Sequence, residues 1–208
     1  MLNQKTAFIF SFLLITFTQV GNTQTVLESS LTDDRFTVET WWTKPIDKQY
    51  KFVLFNLNTA EYLFDLDQSQ FMSYSVLNID VWKGLGPVIG TRILQDKVAG
   101  LVGIQYTFFS QTVFITTNFT TETKSNPDFE FYTLAQYRPK LSRLLNGFIQ
   151  TQLSFNFNAN QHLFSFQQIR LGPDFKTYQF GLAINQFQLG SNWENEVHPG
   201  IFFRLEFQ

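Results

Sequence analysis

The last residues of the chain, HPGIFFRLEFQ (198–208), alternate so regularly that an extended strand is the conformation they favour. Ile201, Phe203, Leu205 and Phe207 fall on one side of such a strand, and His198, Arg204 and Glu206 on the other. Side chains change face at every residue of a strand, so the segment has one oily and one wet face.

The same period of two recurs along the chain. RFTVETWW sets Phe36, Val38 and Trp42 against Arg35, Thr37, Glu39 and Trp41, and SVLNIDVW sets Leu77, Ile79 and Val81 against Asn78, Asp80 and Trp82. GLVGIQYTFF opposes Val102, Ile104, Tyr106 and Phe108 to Gly103, Gln105 and Thr107. NGFIQTQLSFN opposes Ile149, Thr151, Leu153 and Phe155 to Gln150, Gln152, Ser154 and Asn156. In TYQFGLAINQ, Tyr178, Phe180, Leu182 and Ile184 face away from Gln179, Gly181, Ala183 and Asn185. These are β-forming residues, and helical periodicity is absent, so the expected class is all-β.

Alternation alone does not say which face is inside. A soluble sandwich turns its oily face inward, whereas a transmembrane barrel turns it to lipid and keeps polar residues in the lumen. Composition separates the two. Charged residues are only 15% of the chain and Phe alone numbers 26. The polar faces carry Gln, Asn, Ser, Thr and Gly rather than the Lys and Glu of a water-facing surface. Several Lys residues (Lys44, Lys48, Lys83, Lys97, Lys124, Lys140) fall in expected connections instead. The transmembrane antiparallel up-and-down barrel is the reading adopted, with a secreted soluble β-domain as the alternative. A formal net charge of -2 offers no footprint for nucleic acid, and Cys 0 excludes disulfides and thiolate metal sites.

Strands are expected at 35–43, 49–57, 60–66, 74–83, 86–95, 99–108, 111–120, 128–138, 143–156, 161–171, 174–188 and 197–207. That makes twelve, with ten as the alternative because AEYLFDL alternates poorly. Residues 25–208 shared among twelve strands leave about 15 for each strand and its connection, against the ~9–11 that a membrane strand needs. An even count places both ends of the barrel domain on one side. KGLG, Ser110, RPKLS and LGPD would be short inner turns; DQSQFMSY, TETKSNP and GSNWENEV would be longer outer loops, with QDK and NANQ short ones.

Residues 1–24 read differently. One lysine, Lys5, precedes an apolar run from Ala7 to Phe17 and then small and polar residues, the layout of a cleaved export signal. The run is too short for a spanning helix, which needs ~20 apolar residues. The domain expectation is therefore a signal peptide at 1–24 and a barrel at 25–208.

The ending resembles the C-terminal strand signal of Gram-negative outer-membrane β-barrel proteins, in which outward apolar residues alternate up to a final aromatic. Phe203, Leu205 and Phe207 match it, and Gln208 after the aromatic departs from it. The resemblance covers residues 34–207 in pattern and implies a porin-like barrel in the outer membrane. It also implies outer-membrane lipid and the barrel assembly machinery as partners; it leaves oligomeric state open.

Chemistry is sparse. The two histidines are His162, in NQHLFSF, and His198. The odd spacing of His162 and Ser165 puts them on opposite faces of a regular strand, and nothing near His198 in sequence orients an imidazole. G-x-S-x-G, P-loop and H-E-x-x-H motifs are absent. No enzyme, cofactor or metal site is expected. NFT at 118–120 reads as strand, and the Asp65/Asp67 pair lacks the other oxygen ligands calcium requires. Trp41, Trp42, Tyr50, Tyr62, Tyr137 and Trp193 are expected near strand ends as interfacial girdles.

The functional face is then the lumen. Its expected lining is Arg35, Glu39, Asp80, Arg92, Glu130, Arg138, Arg170, Arg204 and Glu206. Gly90, Gly103, Gly181 and Ala183 would leave space, while Trp41, Trp82 and Phe114 would take it. A narrow passive channel for small polar solutes is the expected function, with a non-conducting structural or partner-binding barrel as the alternative.

Overall fold

The computed structural model describes residues 24–207. Residues 1–23, which hold nearly all of the expected export signal, and Gln208 lie outside that range. Twelve strands and no helix occur among the described residues: β1 (Gln24–Thr32), β2 (Arg35–Pro45), β3 (Phe52–Leu63), β4 (Gln68–Ile79), β5 (Leu85–Leu94), β6 (Val98–Phe109), β7 (Val113–Glu122), β8 (Phe129–Tyr137), β9 (Asn146–Phe157), β10 (His162–Asp174), β11 (Tyr178–Leu189) and β12 (Glu194–Phe207). Each strand pairs antiparallel with the next, and β12 returns to β1 with Thr25 opposite Phe207. The sheet closes into a barrel and leaves no unpaired edge, as hydrocarbon demands of any spanning sheet.

The count of twelve conceals two offsetting differences from the sequence reading. The expected strands 49–57 and 60–66 are one strand, β3, paired with β4 from Phe52–Ile79 to Leu63–Gln68. Thr59 and Ala60 dilute the alternation there without breaking the ladder. Conversely, β1 was not anticipated. Its alternation is short: Val26, Glu28 and Ser30 face in, and Leu27, Ser29 and Leu31 face out.

Adding β1 and merging β3 makes the connections alternate cleanly between the two ends. KGLG, Ser110, RPKLS and LGPD fall at or beside the connections of the end that carries Gln24 and Phe207, the termini end. The expected difference in length is missing, however. The longest connection, 138–145, is at the termini end, and DQSQFMSY lies mostly within β4 rather than in a loop.

Facing follows the alternation. Leu182, Ile201 and Phe203 are 63%, 59% and 45% exposed on the outer wall, while Gln150, Gln179 and Asn185 are buried inside. Apolar residues outside and amides inside invert the soluble pattern, which removes the soluble β-domain alternative. The wall is not uniformly oily. On β2–β4 an outward polar seam satisfies itself: Asn58 Nδ2 donates to Thr40 Oγ1 (3.3 Å), Ser73 Oγ donates to Asn58 Oδ1 (2.7 Å), and Asn56 Nδ2 donates to Ser75 Oγ (2.8 Å).

The inward glycines do not create lumen space. A Cβ on Gly103 would lie 2.1 Å from the Phe119 carbonyl oxygen, and one on Gly90 would lie 2.1 Å from that of Ser75. Glycine is needed there because the wall bends until neighbouring backbones nearly touch, a requirement of closing a sheet.

Candidate functional site

The lumen is where the sequence reading puts function, and it is filled. Inward residues of seven strands form one apolar cluster: Val26, Trp41, Phe55, Leu57, Tyr74, Val76, Val88, Leu101, Tyr132 and Leu134. A chain of rings runs through it. Phe114 stacks on Trp41 at 6.3 Å, Trp41 meets Phe55 at 6.4 Å, and Phe55 meets Tyr74, which meets Tyr132, each at 6.4 Å. Trp41 therefore belongs to this bar and not to an interfacial girdle; Tyr50, Tyr62, Tyr137 and Trp193 are exposed. Trp82, expected inside, is 65% exposed in the connection after β4.

Beside the bar lies a buried ionic knot. Glu28 Oε1 accepts from Arg170 Nε at 2.8 Å, and its Oε2 accepts from Arg204 Nε at 2.9 Å and from Arg204 Nη2 at 2.5 Å. Arg170 also donates to Asn185 Oδ1 at 2.8 Å, and the Arg204 guanidinium sits 4.7 Å from the centre of the Phe148 ring. Glu39 is directly cross-strand from Glu28 on the same inward face, so a second carboxylate lies beside the knot. Charges removed from water persist only when paired and hydrogen-bonded, and the Glu28 carboxylate meets that condition through both of its oxygens. Glu28 was missed because β1 was missed.

The other expected lining residues fall into separate clusters. Arg92 reaches Glu122 (2.6 Å), Glu130 (3.2 Å) and Asn156 (3.2 Å); Glu130 also accepts from Ser154 at 2.9 Å. Arg138 pairs with Glu206 at 2.5 Å and approaches Asp174 at 3.9 Å near the termini end. Arg35 binds Asp34 (2.6 Å) and Glu61 (3.3 Å) at the opposite end, with its guanidinium 4.0 Å over Phe187. Asp80 departs from the expected lining. It lies past the end of β4, exposed, and accepts from the Gly84 amide at 3.1 Å.

Cavities open toward both ends of the barrel. At the termini end a cavity of about 660 Å³ is lined by Arg138, Lys140, Lys176, Asp174 and Glu206 among others. From the opposite end, one of about 200 Å³ reaches Glu39, Glu61 and Gln152.

His198 is better held than its sequence neighbours suggest. It reaches across the β12–β1 seam, with Nδ1 2.9 Å from Asp33 and 3.4 Å from Asp34. Asp33, Asp34 and His198 could together offer three ligand atoms to a cation. Partial burial works against ionisation of Asp34, but the Arg35 guanidinium and Thr32 hydroxyl outweigh it and hold its pKa below the usual 3.8.

No family model and no curated protein matches the chain. Solved barrels are similar in fold. LpxR from Salmonella typhimurium is 7% identical, with 89% of this chain and 100% of that chain covered at a TM-score of 0.45. The outer-membrane expressed OmpT of Vibrio cholerae is 8% identical, with 88% and 95% covered at 0.38. A mutant porin of Rh. blastica is 8% identical, with 89% and 98% covered at 0.30. The chain is similar to these as a barrel, and what it does has to be argued from its own side chains.

Proposed function

We propose that this protein is an integral outer-membrane barrel that is closed at rest, so that its wall rather than its lumen is the working surface. One observation carries the reading: the ring chain from Phe114 to Tyr132 and the Glu28–Arg170–Arg204 knot are packed inside the barrel. A barrel of eight strands is just filled by side chains, and wider ones conduct when their interior stays polar and wet. Here a twelve-stranded interior is occupied by aromatic rings and buried ion pairs. Outer-membrane residence is supported by the outward apolar wall and by Phe203, Leu205 and Phe207, which share the outer face of the closing strand. That face would be offered to the assembly machinery before β1 and β12 join.

A second reading, the narrow passive channel for small polar solutes, is favoured by the basins at both ends, with the aromatic bar as its gate. Planar bilayers decide between them. Refolded protein with the heat-dependent gel mobility of an intact barrel is expected to give no conductance steps. Discrete, repeatable steps would overturn the closed-barrel reading in favour of the channel.

A further inference from the structure

The regular spacing that separates His162 from Ser165 in the sequence does not survive in the barrel. The β9–β10 ladder runs in register from Asp174–Asn146 to Phe164–Asn156 and then shifts between Phe164 and His162. An irregularity of this kind re-aims the side chains beyond it. It brings His162 Nε2 to 2.6 Å from Ser165 Oγ. The other ring nitrogen, Nδ1, is 2.8 Å from the Gly190 carbonyl oxygen. A carbonyl can only accept, so Nδ1 carries a hydrogen, and in the neutral ring Nε2 accepts from the serine hydroxyl. Trp193 stacks on the imidazole at 3.8 Å and 13°, from a turn position with φ 56 that a tryptophan rarely occupies. Backbone held in that region marks a constraint worth explaining.

The surroundings of the pair indicate its chemistry. Ser165 is on the outer wall, between the inward Phe164 and Phe166. Along that wall β11 presents Tyr178, Phe180, Leu182 and Ile184 and then turns polar at Gln186 and Gln188; β10 presents Leu171 and Ile169 and then Gln167 and Ser165. On β10 and β11 the oily band ends there, while β9 carries the aromatic rings Phe155 and Phe157 alongside, so Ser165 sits at the aromatic edge of the band, where lipid headgroups meet acyl chains, at the end of the barrel away from the termini. Ester linkages of membrane lipids lie at that depth. Directly cross-strand are Phe155 on one side and Gln188 on the other. Gln188 brings a side-chain amide to the serine, and its covered Oε1 has no hydrogen-bond partner among the described residues.

We propose that Ser165, His162 and the Gly190 carbonyl form a nucleophile, base and orienting group for hydrolysis of ester-linked acyl chains on membrane lipids. Ser165 Oγ attacks the ester carbonyl carbon while its proton passes to His162 Nε2. Gln188 Nε2–H donates to the oxyanion. The carbon–oxygen bond to the leaving alcohol breaks, and Nε2 returns the proton to that oxygen. Water then attacks the acyl-serine with the same base, releasing a fatty acid and restoring the hydroxyl. Ser165 is fully covered with the His162 ring against it, whereas Trp193 is 48% exposed in the 190–193 turn. Substrate therefore reaches Oγ only when that turn moves aside, and lipid contact at the wall is what would move it. The site needs the membrane reading but is indifferent to whether the lumen conducts.

A fluorophosphonate probe tests it on the full barrel in micelles and in phosphatidylethanolamine vesicles. Modification of Ser165, identified by peptide mass, is expected, with none in Ser165→Ala and labelling at least ~10²-fold slower in His162→Gln. Vesicles should also release fatty acid with the wild type and not with Ser165→Ala. A heat-modifiable, folded wild type that takes no probe at Ser165 would overturn the proposal and leave the contacts as a clasp on the turn. Labelling of a protein that is not held in membranes would keep the dyad and sink the membrane reading instead.

Discussion

Glu28 shows what one buried charge does here. Arg170 and Arg204 are both almost inaccessible, and both lean on its carboxylate. Arg204 Nη1 already lacks a hydrogen-bond partner among the described residues. Glu28→Gln keeps the shape and removes the charge, leaving two guanidinium groups with one fewer anion in a dry interior. Breaking a buried ion pair from one side costs about 3–5 kcal/mol, so the variant should unfold at clearly lower urea in lipid vesicles. A loss below ~1 kcal/mol, the size of an exposed pair, would mean that water reaches the knot.

At the scale of strands, facing and occupancy have to be separated. Leu182 is on the outer wall, where arginine near the membrane midplane costs roughly 2–4 kcal/mol. Leu182→Arg should therefore impair folding. Asn185 faces inward, but it is packed and accepts from Arg170, so Asn185→Arg would add a third guanidinium to the knot and is a poor control. Thr59 is the better inward site because it lines the basin that holds Glu39 and Glu61. Thr59→Arg should be tolerated, and equal damage from Leu182→Arg and Thr59→Arg would contradict the facing. The outward seam of β2–β4 offers a third substitution. Asn58→Ala strips partners from Ser73, Thr40 and Asn56, and a polar group left unpaired away from water costs about 1–3 kcal/mol. No loss of stability in vesicles would show that water or a neighbouring protein already satisfies the seam.

For the whole molecule, closure is the property to test. The β1–β12 ladder joins residues 25–32 to 200–207, so the barrel forms only when the two ends of the described chain meet. The mature protein is expected in the outer-membrane fraction, resistant to alkaline extraction and with a gel mobility that changes on heating. Recovery as a soluble periplasmic protein would contradict the apolar wall. Folding should also be slow, since this one pairing spans nearly the whole chain.

The alternation determined the class and which residues share a face, and the low charge and the amide-rich polar faces then determined the facing of most strands and the identity of most lumen charges. Alternation is a consequence of side chains changing sides at every residue, a rule that needs no knowledge of neighbours. It reached less far where the rule was diluted or short: Thr59 and Ala60 split β3 in two, and the brief alternation of β1, next to residues read as an expected export signal, hid that strand and with it Glu28. Tertiary structure alone decided two further matters. Whether Trp41, Tyr74 and Tyr132 line an open lumen or meet within it depends on barrel curvature and on strands distant in sequence. His162 meets Ser165 only because the β9–β10 register shifts between Phe164 and His162, and a period of two has no means of encoding an exception to itself.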